Sequence, residues 1–285
     1  MRLATLDRNG TPTVAVRKGD QYVDLSKAAP DLPRSIRGLL EAGALEQANA
    51  AAESAGADAC FSAGDAIYLP VIPDAGKILC CGLNYRDHAI ETGQPIPDYP
   101  IIFTRMTTTL VGHGAAMVRP QASVEYDYEA ELAVIIGRPG RHLSTDNALS
   151  IVAGYSCFND GSLRDYQFKA PQWTMGKNFD ATGGFGPELV SADEVPAGAN
   201  DLSIRCRLNG ETVQDSTTAQ HIFDVPQVIA TLTEAMTLLP GDVIIMGTPP
   251  GVGAARKPQL WMKHGDVCEI EIEGIGTLSN PIVDE

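Results

Sequence analysis

Apolar and polar positions alternate most regularly at Tyr126, Tyr128, Ala130 and Leu132, which are separated by acidic residues, and from Leu132 to Ile136 every position is apolar. Strict alternation marks a half-covered strand, and a continuous apolar run marks one covered on both faces. The segment Tyr126 to Ile136 therefore predicts a single strand that enters a core and ends at Gly137. Upstream, short apolar stretches from Met1 to Val23 are broken by Arg8-Asn9-Gly10 and Gly19-Asp20, turn signals that predict a small meander of strands. Ser35 to Glu41 and Glu46 to Ser54, rich in Leu, Ala and Glu around Gly43, predict two helices. The Gly/Ala/Asp-rich stretch ending near Asp65 then suggests a boundary, with a small N-terminal α+β domain over 1–70 and a larger unit over 71–285.

In the larger unit, Lys77 to Gly82 reads as a strand, while Glu91 to Tyr99 contains Gly93, Pro95 and Pro97 and reads as a loop able to move over a site. Gly154 to Phe158 is a further strand, with Asp160 at its end, where catalytic groups are often presented to solvent. Ser144 or Thr145 can cap a short helix through Val152. Asp224 can cap a longer one that places Val225, Val228, Ile229, Leu232 and Met236 on one face. Val243 to Met246 and Val267 to Ile272 complete the strands. Strands that do not alternate regularly with helices predict a mixed β fold with minor α rather than a doubly wound sheet.

Composition narrows the partners. Lys and Arg number 21 against 36 Asp and Glu, a formal net charge of −15 that repels nucleic acid. Six cysteines form no C-x-x-C pair, so neither a thiolate zinc site nor a disulfide framework is expected, and Cys80 and Cys81 read as core packing. Met1 to Arg8 meets charge before any apolar run, and no stretch approaches the ~20 apolar residues that span a bilayer, so a cytoplasmic location without membrane contact is expected.

Within Glu125-Tyr126-Asp127-Tyr128-Glu129-Ala130-Glu131 a regular strand places all four carboxylates on one face. Two readings remain: a solvated face with Tyr126 and Tyr128 packed inward, or a site for a hard, oxygen-liganded cation. The second draws support from Glu131, which directly precedes the apolar run, because covered carboxylates need a partner.

Several motifs occur in order: Asn84-Tyr85 with His88 and Glu91, Asp127-Tyr128-Glu129-Ala130-Glu131, Asn159-Asp160, Gly176-Lys177, and Gly247-Thr248-Pro249 with Gly251-Val252-Gly253. Together they resemble the fumarylacetoacetate hydrolase family over about residues 70 to 285. That resemblance implies a β-roll of curved sheets, usually dimeric. It also implies magnesium, with manganese or calcium as substitutes, held by Glu129, Glu131 and Asp160. His88 and Glu91 match a water-activating pair on a mobile lid, and Lys177 a group that shares developing negative charge. Arg164, Gln167, Thr248 and Tyr85 match substrate-facing positions. The activity implied is hydrolysis of a C–C bond in a small 2,4-dioxo acid of the acylpyruvate or fumarylpyruvate type. Oxaloacetate decarboxylation, isomerisation of a hydroxydienedioate and hydration of a 2-oxo-enoate use the same platform, and a catalytically silent metal- or carboxylate-binding protein is the reading from another class. Arg105 and Thr109 stand where many members carry Lys and Ser. Gly183-Gly184 departs from the family pattern in a way that suggests a retuned pocket or local flexibility.

Overall fold

The computed structural model describes all 285 residues. Strands dominate and helices are few, as the sequence predicts. The larger of two main sheets has 12 strands. Its path runs Cys60–Ser62, Gln21–Asp24, Thr11–Lys18, Arg2–Arg8, Gly183–Ser191, Val152–Asp160, Ala130–Ile136, Val243–Ile245, Ile78–Gly82 and Ile101–Thr104, open at both ends rather than closed into a barrel. A second sheet orders Glu211–Thr217, Ser203–Leu208, Val267–Ile272, Gly276–Asp284 and Met117–Arg119.

The strand Ala130–Ile136 explains its own composition. Successive side chains point to opposite faces of a strand. Leu132, Val134 and Ile136 enter a core shared with Ile204, Ile270 and Leu278 of the second sheet. Ala133 and Ile135 enter another core, against Ile36, Leu39 and Ala48 of the N-terminal helices. With both faces covered, no position on this strand tolerates an uncompensated polar group, and each Leu or Ile fully withdrawn from water contributes ~1.5–3 kcal/mol.

The N-terminal meander and the helices Ile36–Glu41 and Leu45–Ser54 form where expected. Ser35 caps the first of these, its hydroxyl accepting from Gly38 N at 2.9 Å. The meander is not detached: Arg2–Arg8 pairs antiparallel with Gly183–Ser191, so the larger sheet continues into it. The helix Val225–Ala235 carries the capping box formed by Asp224 and Gln227, and buries Val225, Val228, Ile229 and Leu232.

Three local expectations change. The helix expected from Ser144 through Val152 is a single 3-10 turn, Ala148–Ile151, because Val152 already pairs in a strand and Asn147, rather than Ser144, immediately precedes the turn. Gly183 and Gly184 lie buried within a strand and are packing gaps rather than flexible points. A Cβ at Gly183 would stand 2.8 Å from Arg105 Nη2, and one at Gly184 would stand 2.6 Å from Asn280 Oδ1. A helix not anticipated, Arg86–Glu91, lies directly before the Gly/Pro loop.

Candidate functional site

The carboxylates are gathered by an interruption in the strand that was expected to be continuous. Tyr126–Asp127 pairs with Ser162–Leu163, whereas Ala130–Ile136 pairs with Val152–Asp160, and the chain bends between them at Tyr128 and Glu129. Buried backbone donors must find acceptors. Here Glu129 N donates to Asn159 Oδ1 at 3.1 Å and Ala130 N to Gln214 Oε1 at 2.9 Å. Those two side chains stand in for missing ladder bonds, so the acids no longer share one face. The solvated-face reading also fails, since Asp127, Glu129 and Glu131 are exposed by only 0%, 5% and 3%.

Glu129, Glu131 and Asp160 converge, with ligand oxygens all within 4.8 Å of one another. Lys177 Nζ donates to Glu129 Oε2 and to Asp160 Oδ2, each at 2.6 Å. Asp160 ends its strand as expected but is wholly buried, not presented to solvent, because Arg105 Nη1 donates to its Oδ1 at 2.5 Å. Arg105 also donates to Thr109, Thr182 and the Gly161 carbonyl, filling the space that Gly183 leaves.

Charge is shared unevenly. Burial alone would raise Glu129, but Lys177, ahead of Arg164, outweighs it and holds that carboxylate well below its ordinary range. Burial would likewise lower Lys177, and Asp160 and Glu129 reverse this, so the ammonium stays charged. Glu131 has no such cation. Burial, then the Asp160 and Glu129 charges, push it well above the usual carboxylate range, opposed by Lys177 and by the Gly247 N–H that donates to it at 2.6 Å. Three buried oxygen ligands with no sulfur or imidazole among them, and one lacking a counter-charge, fit a hard divalent cation.

Asp127 has a different task. It accepts from Arg164 Nε at 2.8 Å, Gly253 N at 2.7 Å and Ala254 N at 3.0 Å, tying the glycine-rich turn to the arginine. Gly253 is required for this approach, because a Cβ there would stand 1.8 Å from the Leu260 carbonyl and 2.7 Å from Asp127 Oδ1. Arg164 Nη1 donates to Gln167 Oε1 at 2.8 Å. Arg164 Nη2 lies 2.7 Å from Glu129 Oε1, close enough for a strong charge contact although poorly aligned as a hydrogen bond.

A cavity of about 630 Å³ opens onto this cluster, and its wall includes His88, Glu91, Glu129, Glu131, Arg164, Gln167, Lys177 and Thr248. His88 Nδ1 stands 3.1 Å from Glu91 Oε2, both on the helix Arg86–Glu91. With its proton on Nδ1, the imidazole keeps Nε2 free to accept. Glu91 also takes the Gly251 N–H, at 2.9 Å to Oε1, which closes the helix onto the glycine-rich turn. Thr248 Oγ1 accepts from Gln214 Nε2 at 2.9 Å, so its own hydroxyl proton is available to a ligand.

The structure thus gathers nine of the ten expected site residues, eight on the wall and Asp160 within the carboxylate cluster. Tyr85 is the one it does not bring there. It is fully buried, edge-on to His221 with ring centroids 4.6 Å apart, and is not on the cavity wall. Cys80 and Cys81 are buried, and burial pushes Cys81 up to about 12, so neither is an activated thiol. Asp127, Arg105, Asn159 and Gln214 were not assigned roles from the sequence. Only the acidic alternation hinted at Asp127; the other three act through partners remote in the chain.

The profile described as fumarylacetoacetate (FAA) hydrolase C-terminal matches residues 77–283. The chain is similar to "Oxaloacetate tautomerase fahd2, mitochondrial" of Xenopus laevis, 39% identical over 99% of this chain and 90% of the relative. Among solved structures it is similar to a putative HpcE protein from Mycobacterium smegmatis, with a TM-score of 0.88 and 34% identity over 100% of this chain and 99% of that one. It is also similar to a maleylpyruvate hydrolase from Sphingobium sp. SYK-6 in complex with manganese (II) ion and pyruvate, with a TM-score of 0.81 and 26% identity over 100% of this chain and 99% of that one. On the motifs, the fold and these matches, the chain belongs to the fumarylacetoacetate hydrolase family.

Proposed function

We propose that this chain is a divalent-cation-dependent enzyme that carries protons to and from the enol form of a small 2-oxo acid, with His88 as the proton-transferring group. The observation that carries this reading is the His88–Glu91 pair, 3.1 Å apart, on the wall of the same cavity as Glu129 and Glu131. A cation held by Glu129, Glu131 and Asp160, magnesium first and manganese or calcium as substitutes, would supply a chelation point for the carboxylate and 2-oxo group and Lewis-acid stabilisation of enolate charge.

The chain's own residues do the rest. Glu91 fixes the imidazole so that Nε2 can take a proton from C3 of the acid and return it. Two of the three N–H groups of Lys177 are engaged by carboxylates, and the third is available to charge developing on the substrate oxygen. Keto–enol tautomerisation needs only these groups: a proton leaves C3, the electron pair moves to the 2-oxo oxygen, and a proton is added there. The name of the frog relative favours this reaction.

Hydrolysis of a 2,4-dioxo acid is the second reading, favoured by a cavity that a four-carbon acid fills only in part. There His88 would take a proton from water as its oxygen bonds to C4. The C3–C4 pair would pass into the enolate, and protonation at C3 would give pyruvate and a carboxylic acid. Ultraviolet absorbance of the enols of oxaloacetate and acetylpyruvate, followed with magnesium and then with chelator, tests both readings. Magnesium-dependent acceleration is expected, and enzyme-coupled detection of pyruvate from acetylpyruvate separates hydrolysis from tautomerisation. Rates equal to buffer for every 2-oxo acid would sink the proposal.

A further inference from the structure

We infer that Arg256 and Tyr128, neither of which lines the cavity, are positioning residues that fix the tautomer of His88 through Gly251 and Glu91. This rests on the reading of His88 as the proton-transferring group, and it deepens that reading by naming what keeps the imidazole ready.

The glycine-rich turn does little to hold itself. Pro249 and Pro250 carry no N–H. Gly247 and Gly251 both adopt positive φ, +91° and +103°, a region open to glycine at no steric cost. Side chains supply the restraint at Gly251. Its carbonyl accepts from the hydroxyl of the buried Tyr128 at 3.1 Å and from Arg256 Nε at 3.2 Å. The same guanidinium donates through Nη2 to the Val213 carbonyl at 2.6 Å, so one planar fork ties the turn to the strand Glu211–Thr217. Gly251 is pressed against that strand, where a Cβ would stand 2.2 Å from the Val213 oxygen.

What is held in this way is the anchor of the base. Gly247 N donates to Glu131 and Gly253 N to Asp127, both on the carboxylate segment. Gly251 N instead donates to both oxygens of Glu91, at 2.9 and 3.2 Å. Glu91, 3.1 Å from His88 Nδ1, keeps the proton on that nitrogen and leaves Nε2 as the acceptor. Loss of the Arg256 fork frees Gly251 to turn its N–H away, and a Glu91 without that anchor no longer specifies one ring nitrogen. Tyr128 adds a link to the cation centre, since it stands between Asp127 and Glu129 at the bend.

The test reads the nitrogen chemical shifts of histidine-labelled, magnesium-loaded protein at pH ~8, where an ordinary imidazole is neutral. The His88 signals are assigned by their loss in His88→Gln. The unaltered protein is expected to show the Nδ1–H tautomer. Arg256→Lys keeps the charge and loses the fork, and Tyr128→Phe deletes one hydroxyl. Each is expected to shift His88 towards a mixture of tautomers, with magnesium binding retained in calorimetric titration. In a Glu91→Ala background neither substitution should move the shifts further. With oxaloacetate enol or acetylpyruvate, whichever the protein turns over, kcat should fall ~10–10²-fold and KM little. Where Arg256→Lys does not fold, Tyr128→Phe alone decides. An unchanged tautomer in every folded variant, or an equal displacement with and without Glu91, overturns the inference. Displaced tautomers together with no turnover of either acid by the unaltered protein overturn the proton-transfer reading and leave this one standing.

Discussion

Glu131 is buried beside two other carboxylates with one backbone N–H as its donor, so the cation centre can be tested at that residue. Glu131→Ala and Asp160→Ala are expected to abolish magnesium binding in a calorimetric titration, and turnover with it. His88→Ala should keep the titration and lower kcat by ~10²–10⁴, the span of a lost general base; magnesium heat unchanged in Glu131→Ala would exclude the site. Asp127 makes a different prediction. Its removal leaves Arg164 buried with Glu129, poorly aligned, as its one remaining carboxylate, so Asp127→Ala should lower stability by ~3–5 kcal/mol, read from the denaturant midpoint. Glu129 and Glu131 were legible as candidate ligands because their alternation and the apolar run beside them coincide in one short segment, whereas Asp160, on another strand, joined them only through the family resemblance. Arg105 and Gln214 were not, because each finds its meaning in a partner tens of residues away. Tyr85 misled for a related reason. It immediately precedes the helix that carries His88 and Glu91, yet its own side chain turns into the core.

Among elements, the bend at Tyr128 and Glu129 was the feature periodicity could not reveal. Alternation continues through it in the sequence, and only Asn159 and Gln214, on other strands, make the break possible. Element types were otherwise readable wherever a single period ran long enough, as in Ala130–Ile136 and Val225–Ala235. The six-residue helix Arg86–Glu91 was too short to show a period, although the i, i+3 spacing of His88 and Glu91 is its trace. The turn after Val243–Ile245 carries its own test. Gly247 has φ of +91°, and a Cβ there would stand 2.8 Å from both Asn84 Cβ and the Cys81 carbonyl. Gly247→Ala is expected to cost ~1–3 kcal/mol in thermal unfolding and also to weaken magnesium affinity, since the displaced N–H is the one that steadies Glu131. A lowered melting temperature with unaltered affinity would show that the turn does not position the ligand.

At the scale of the whole molecule, a cation that binds the native state alone adds to its stability by mass action. Magnesium at a hundred times its Kd should raise the unfolding free energy by ~2.7 kcal/mol, and chelator should remove that gain, both seen as a shift in thermal unfolding. Acid sensitivity has an identifiable contributor outside the site. Burial lowers His221 to about 3, while an unfolded histidine titrates near ~6.5. The unfolded chain therefore takes up the proton first, and this contribution to stability is intact above pH ~6.5 and lost as pH falls towards 3. His221→Phe should flatten stability across that window in urea titrations at pH 7, 5.5 and 4; an unchanged slope would remove His221 as the cause. Glu91 links the wall of the cavity to its chemistry. One carboxylate both steadies the imidazole and hooks the helix to the Gly251 N–H, so a substitution that shortens or neutralises Glu91 would loosen the base and the glycine-rich turn together.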